Sequence, residues 1–233
     1  METATLITAL AALVTGAASL VMVLEMKKQR TAISRPVLKL LSKYCNAESS
    51  GRNPWVWEDE SSYRQSLIFL NFGSGPALNI SIEWKLDYQE LIGILKRFDP
   101  YDQLKIEQDG RFIHFDESSH NVENQKTHKL EAMPVYSGGN KTSLNIPSSY
   151  IAGFEKFIQL AFIDRLKDED EHSKGYNVPD FPSIKAEVNY EDINGNKIKQ
   201  SFKVKLQITS IATNKEDVSS SISAVFEVSE ENV

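Results

Sequence analysis

The stretch Leu67 to Trp84, LIFLNFGSGPALNISIEW, sets two glycines and a proline between apolar segments, the setting in which backbone amides cradle phosphate groups. A dinucleotide loop needs a third glycine and a helix whose N-terminus meets the pyrophosphate. Leu78 occupies the third glycine's place, and the alternation after it predicts a strand. No Gly-Lys-Ser/Thr is present for a P-loop. Gly73 and Gly75 are therefore assigned to backbone bends, with Asn71 bonding loop backbone groups and Pro76 fixing the exit into the next strand.

The remaining candidates for chemistry are weaker. The run Lys167 to His172, KDEDEH, clusters four carboxylates beside an imidazole. It lacks the glycine and distal glutamate of a calcium loop, so a solvated acidic loop is expected. In DINGNK, from Asp192, the glycine falls too early for a calcium loop, and a hairpin accounts for the pattern. His114, His120, His128 and His172 lack the spacing of zinc ligands on one helix. Cys45 has no histidine partner in sequence, and no Gly-x-Ser-x-Gly elbow occurs. The expectation is no catalytic residue, no metal and no cofactor.

The clearest element is N-terminal. Thr3 to Leu24 carries no charged residue, and about 20 apolar residues at 1.5 Å each cross a hydrocarbon core of about 30 Å. A transmembrane anchor over 1–26 is predicted in preference to a signal peptide, whose leading region is basic where this one reads Met1-Glu2-Thr3. Ala4, Thr8, Ala12 and Gly16 recur every four residues, a spacing that lets spans pack closely in lipid. Lys27, Lys28, Arg30 and Arg35, in a basic linker over 27–35, are followed by Lys39 and Lys43 with no acidic residue between Glu25 and Glu48. This topology signal places the N-terminus outside and the C-terminal domain in the cytoplasm of an inner (plasma) membrane. Of the 26 basic and 32 acidic residues, these six bases, Glu2 and Glu25 precede residue 48. Residues 48–233 thus carry 20 bases against 30 acids, a charge of about −10, which argues against a nucleic-acid partner. The lipid bilayer is the first expected partner. The sequons at Asn79 and Asn140 matter only if the domain faces a glycosylating lumen.

A domain over 36–210 and a strand or polar tail over 211–233 follow. Arg35-Pro36 halts the helix, VLKLLSKY predicts one strand, and Asn46 to Ser62 a polar loop holding Trp55 and Trp57. Leu67 to Phe72 is apolar on both faces, as for a central strand. Leu78, Ile80, Ile82, Trp84 and Leu86 alternate with polar residues, as for a half-buried one. Leu91, Ile94, Leu95 and Phe98 predict a helix capped by Asp87 and Glu90. Segments 111–115, 128–135 and 141–146 predict short strands. A second short helix begins at Pro147-Ser148-Ser149, capped by Ser148, and ends near Phe157; the apolar run Ile158 to Ile163 favours a strand. Ile184 to Tyr190 and Phe202 to Ile208 alternate about Asn194-Gly195, whose positive φ angles would make a tight hairpin. SISAVFEV adds a possible last strand.

LNFGSGPALNISI and VNYEDINGNKIKQSF resemble the Asn-x-Gly-x-x-Pro-Ala and Tyr-x-Asp-x-x-Gly-x-x-x-x-x-Phe patterns of immunoglobulin-like modules. The whole chain is similar to uncharacterised bacterial single-pass membrane proteins carrying such a domain. The resemblance implies a mainly β protein: one transmembrane helix, then an antiparallel Ig-like β-sandwich with two short helical insertions. The expected function is a non-enzymatic, membrane-tethered protein-interaction or accessory module, with a protein partner or self-association through the span. The alternatives are a ligand-sensing membrane effector whose oligomerised span perturbs the membrane, and an enzyme or sensor with a site assembled from Trp55, Trp57 and the histidines.

Overall fold

A computed structural model describes residues 2–50, 56–57, 65–99, 106–109, 112–115, 118–121, 128–138, 141–167, 180–214 and 219–231. In chain order the elements are α1 (Glu2–Ile33), β1 (Leu38–Leu40), β2 (Lys43–Ser50), β3 (Val56–Trp57), β4 (Ser66–Asn71), β5 (Ala77–Lys85), α2 (Tyr88–Arg97), β6 (Ile106–Asp109), β7 (Phe112–Phe115), β8 (Ser118–Asn121), β9 (His128–Met133), β10 (Thr142–Asn145), α3 (Ser148–Lys167), β11 (Ile184–Glu191), β12 (Lys197–Asn214) and β13 (Ser219–Glu231). The protein is mixed and β-rich, with three helices among the described residues and antiparallel sheets throughout.

A small sheet, ordered β1-β4-β10, lies against a seven-stranded sheet, β3-β2-β13-β12-β11-β5-β9, which curls into a half-barrel. Their inward faces merge into one core, where the Phe69 ring of β4 meets the Phe202 ring of β12 edge-on at 6.4 Å. A third sheet, β6-β7-β8, packs beside α3.

The segment VLKLLSKY forms two strands, not the single one expected. At Leu41-Ser42 the chain leaves the small sheet for the large one. The Leu41 amide still bonds the Ile68 carbonyl at 2.9 Å, while the Ser42 hydroxyl accepts from the Val228 amide at 3.0 Å. The loop expected over Asn46–Ser62 is strand through Ser50: Cys45 and Ala47 point inward and Asn46 and Glu48 outward, an alternation hidden by the small size of the buried residues. Trp55 lies outside the described residues. In β5, Ile80, Ile82 and Trp84 are buried as expected, but Asn79 has φ 50° and the register opposite it shifts between Asn189 and Glu191. This bulge turns Ala77, not Leu78, into the core.

The first helical insertion is short, with Asp87 accepting from the Gln89 and Glu90 amides as its N-cap. The second is not. α3 is 20 residues long and absorbs the strand expected over Ile158–Ile163. Tyr150, Ile151, Phe154, Phe157 and Ile158 recur at helical spacing on a buried face, and Ile158 extends that stripe. Ser148 is not the cap. The Pro147 carbonyl accepts from Tyr150 and Ile151, which puts Ser148 inside the first turn.

The hairpin between β11 and β12 also differs from expectation. Gly195 has φ 78°, but Asn194 does not adopt a positive φ. The Gly195 amide bonds the Asp192 carbonyl, and the Asp192 amide bonds the Asn196 carbonyl, a turn followed by a left-handed glycine. The Asp192 carboxylate accepts from the Asn194 and Asn196 amides and the Asn196 side chain, and these bonds hold it below the usual carboxylate range.

Candidate functional site: the helix–sheet junction

The Gly-Ser-Gly-Pro turn connects β4 to β5, and it also grips the segment by which α1 enters the sheets. Asn71, 1% exposed, is the centre of this clasp. Its Oδ1 accepts from the Val37 amide at 3.1 Å and the Gly73 amide at 3.0 Å. Its Nδ2 donates to the Gly75 carbonyl at 2.9 Å and the Met133 carbonyl at 3.2 Å. Its backbone carbonyl accepts from Tyr136 at 2.7 Å, while Phe72 and Ser74 donate to the carbonyls of Val37 and Arg35 at 2.8 and 3.2 Å. One buried amide side chain thus joins the entry segment, the turn and the end of β9.

The glycines are required by proximity. A Cβ on Gly73 would collide with the backbone of Arg35, Pro36 and Val37, and one on Gly75 with the Ser34 carbonyl. Neither has a positive φ. The alternation in sequence predicts strands on either side of the turn but contains no sign of this second, non-local contact.

A further tie lies beside the clasp. Gln200 donates to the Leu38 carbonyl at 3.0 Å and to Glu230 Oε1 at 2.7 Å, and Lys39 pairs with Glu230 Oε2 at 2.6 Å. The Lys39 ammonium and the Gln200 amide hold the Glu230 carboxyl below its ordinary value. Burial pushes the Tyr190 phenol up, opposed by the nearby Arg35 guanidinium.

The other predicted residues are scattered. Ala4, Thr8, Ala12 and Gly16 lie on α1, where a Cβ on Gly16 would meet open space. Lys27 and Lys28 are exposed near its end, with Arg30 in its last turns and Arg35 in the link to β1. Among the described residues no group of three or more His, Cys, Asp or Glu could hold a metal ion. His114 is on β7 and His128 on β9, whereas Trp57 is buried in β3 and His172 lies outside the described residues.

Trp57 has a partner that the sequence did not announce. Its indole N–H donates to Glu155 Oε1 at 2.8 Å inside the core, and burial raises the Glu155 carboxyl to about 8 against the lowering effects of Trp57 and Lys156. The available signal was positional: Glu155 follows Phe154 within the apolar stripe of α3. A cavity of about 170 Å³ beside Phe154, Phe157 and Phe181 has Lys205 and Asp180 at its lining, but these two pair with each other at 2.7 Å.

Comparison with known proteins yields no relative: no family model matches the chain, and neither a curated protein nor a solved structure matches it.

Proposed function

We propose that this protein is a single-pass membrane-anchored accessory module: α1 spans an inner membrane with its N-terminus outside, and an Ig-like β-sandwich in the cytoplasm binds a protein partner without catalysing a reaction. The observation that carries the reading is the pairing of a naked apolar helix with a tightly fastened exit. Leu10–Gln29 is long and apolar enough to span, and none of it is buried against the sheets. Nine of its large apolar side chains, from Leu10 to Met26, are 46–75% exposed. Each such side chain gains about 1.5–3 kcal/mol on leaving water, and a bilayer supplies that environment along the whole helix. Thr15 and Ser19 return their hydroxyls to the carbonyls of Ala11 and Thr15 at 2.8 Å, so neither requires water. The leading Met1-Glu2-Thr3 lacks the basic region of a removable leader, and residues 35 and 37 are bonded into the sheets within four residues of the helix end. Lys27, Lys28, Arg30 and Arg35 support the cytoplasmic assignment.

The test is alkaline carbonate extraction of membranes holding the full chain, together with reporter fusions at both termini. Retention in the membrane, with a cytoplasmically active reporter at the C-terminus only, is expected. Release, or loss of the first 26 residues from the mature chain, overturns the reading.

A further inference from the structure

Among the described residues outside α1, five large hydrophobic side chains are exposed: Val37, Tyr44, Phe72, Val135 and Ile193. Four of the five gather at the end of the sheets where α1 joins. Val37 is part of the entry segment. Phe72 bonds it through its backbone, and the Phe72 ring packs edge-on against Tyr136 at 5.5 Å. Val135 adjoins Tyr136, whose amide bonds Asn71. Ile193 sits at the tip of the β11–β12 hairpin, two residues beyond the pairing of Glu191 with Leu78 and hence on the side of Pro76 and Gly75.

The distance to a bilayer is fixed by the chain. The charge-free run ends at Leu24, the anchor at Met26 and the helix at Ile33. The seven helical residues beyond Met26 rise about 10 Å, which leaves the base of the sheets within a side chain's reach of a headgroup layer about 5–7 Å deep. The clasp leaves no slack beyond Ile33, because Ser34 and Arg35 lie against Gly75 and Gly73. Exposed Lys27 and Lys28, where the span leaves the hydrocarbon, and exposed Arg35, beside the sheets, add positive charge on either side of the headgroup layer, complementary to anionic headgroups. Aromatic rings with one wet edge favour this layer.

We propose that Val37, Phe72, Val135, Tyr136 and Ile193 form an interfacial foot, seating the base of the sheets in the headgroup layer of the phospholipid bilayer that α1 crosses. The proposal rests on the reading of α1 as a span. The foot makes the domain stand on the membrane at a fixed attitude, so that α2 at the remote end is presented outward to a partner.

The test uses the full chain in phosphatidylcholine–phosphatidylglycerol vesicles. Phe72→Cys, Ile193→Cys and, at the remote end, Gly93→Cys are each labelled with an environment-sensitive fluorophore. Cys45 is buried in β2, so the wild-type chain is the labelling blank. Replacing host lipid with a lipid carrying a quencher near the glycerol backbone should lower emission by about half at 72 and 193, and leave 93 unchanged, as the interfacial placement of the foot requires. Carbonate extraction of the same vesicles reads the span independently. A retained chain whose labels at 72 and 193 escape quenching overturns the foot alone, whether those labels are in water or covered by a second protein copy. Release of the chain overturns both readings.

Discussion

Gly75 and Gly93 occupy opposite ends of the sheet body and have opposite surroundings. A Cβ on Gly75 would drive into the Ser34 carbonyl, whereas one on Gly93, in the exposed face of α2, would meet nothing within 4 Å. Around Gly75 a buried asparagine collects bonds from three segments of the chain, and apolar side chains stand outside. Around Gly93 the helix is finished locally, by an N-cap aspartate and by Lys96 and Arg97 in the last turn, with Leu91, Ile94 and Leu95 buried beneath. The end that meets α1 is fastened by hydrogen bonds and close backbone contacts between segments distant in sequence, whereas α2 is capped by its own residues and packs on α3 through side chains, Phe98 meeting Phe157 edge-on at 5.3 Å. The proposed attachment to a membrane is therefore a stiff one, and stiffness is what the junction residues provide.

The contrast is broken most severely at Gly75. Gly75→Val should destabilise the full chain by about 3 kcal/mol or more, because backbone cannot yield to the added methyls as a flexible side chain could. Thermal unfolding in detergent micelles measures it, and an effect under about 1 kcal/mol would refute the close approach. Asn71→Ala should follow at about 2–3 kcal/mol, the cost of leaving buried amide and carbonyl groups unpaired, read by denaturant titration. Asn71→Asp retains the acceptor for Val37 and Gly73 but loses the donor to Gly75 and Met133, and should not restore the wild-type midpoint.

Between the two ends, Glu155 sharpens the comparison through pH. Its folded value, about 8, stands above the ordinary value of 4.5. The unfolded chain therefore releases this proton first as pH rises, and the folded state is relatively disfavoured through the window from 4.5 to about 8. Stability should fall across that window and level off above it. Glu155→Gln should flatten this component of the profile while keeping an oxygen for the Trp57 indole. An unchanged slope would mean that Glu155 ionises inside the core. The smallest effect is a gain: Gly93→Ala should stabilise by about 0.5–1 kcal/mol, the helix propensity difference at an exposed interior site.

Much of the architecture was legible along the chain. The apolar run of α1, the period-two alternation of β5, β11 and β12, and the Asp87 cap each express a local rule, and each appears where it was read. The errors were also local rules, overruled by partners elsewhere. Ile158–Ile163 is short and apolar like a strand, but the helix already begun at Ser148 gains more by continuing its buried stripe. β6 and β8 are not among the expected strands, and they form because β7, with Ile113 and Phe115 buried, lies between them and supplies their hydrogen bonds.

The sequence by itself determined the apolar helix, its basic flank and the alternating strands, since these depend on hydrophobicity and spacing within one segment. Tertiary structure alone decided what the Gly-Ser-Gly-Pro turn is for. The turn holds Ser34 to Val37, which lie more than thirty residues earlier, and its glycines are needed because two backbones approach too closely for a side chain. A constraint of that kind belongs to the pair of segments, so neither segment can display it alone.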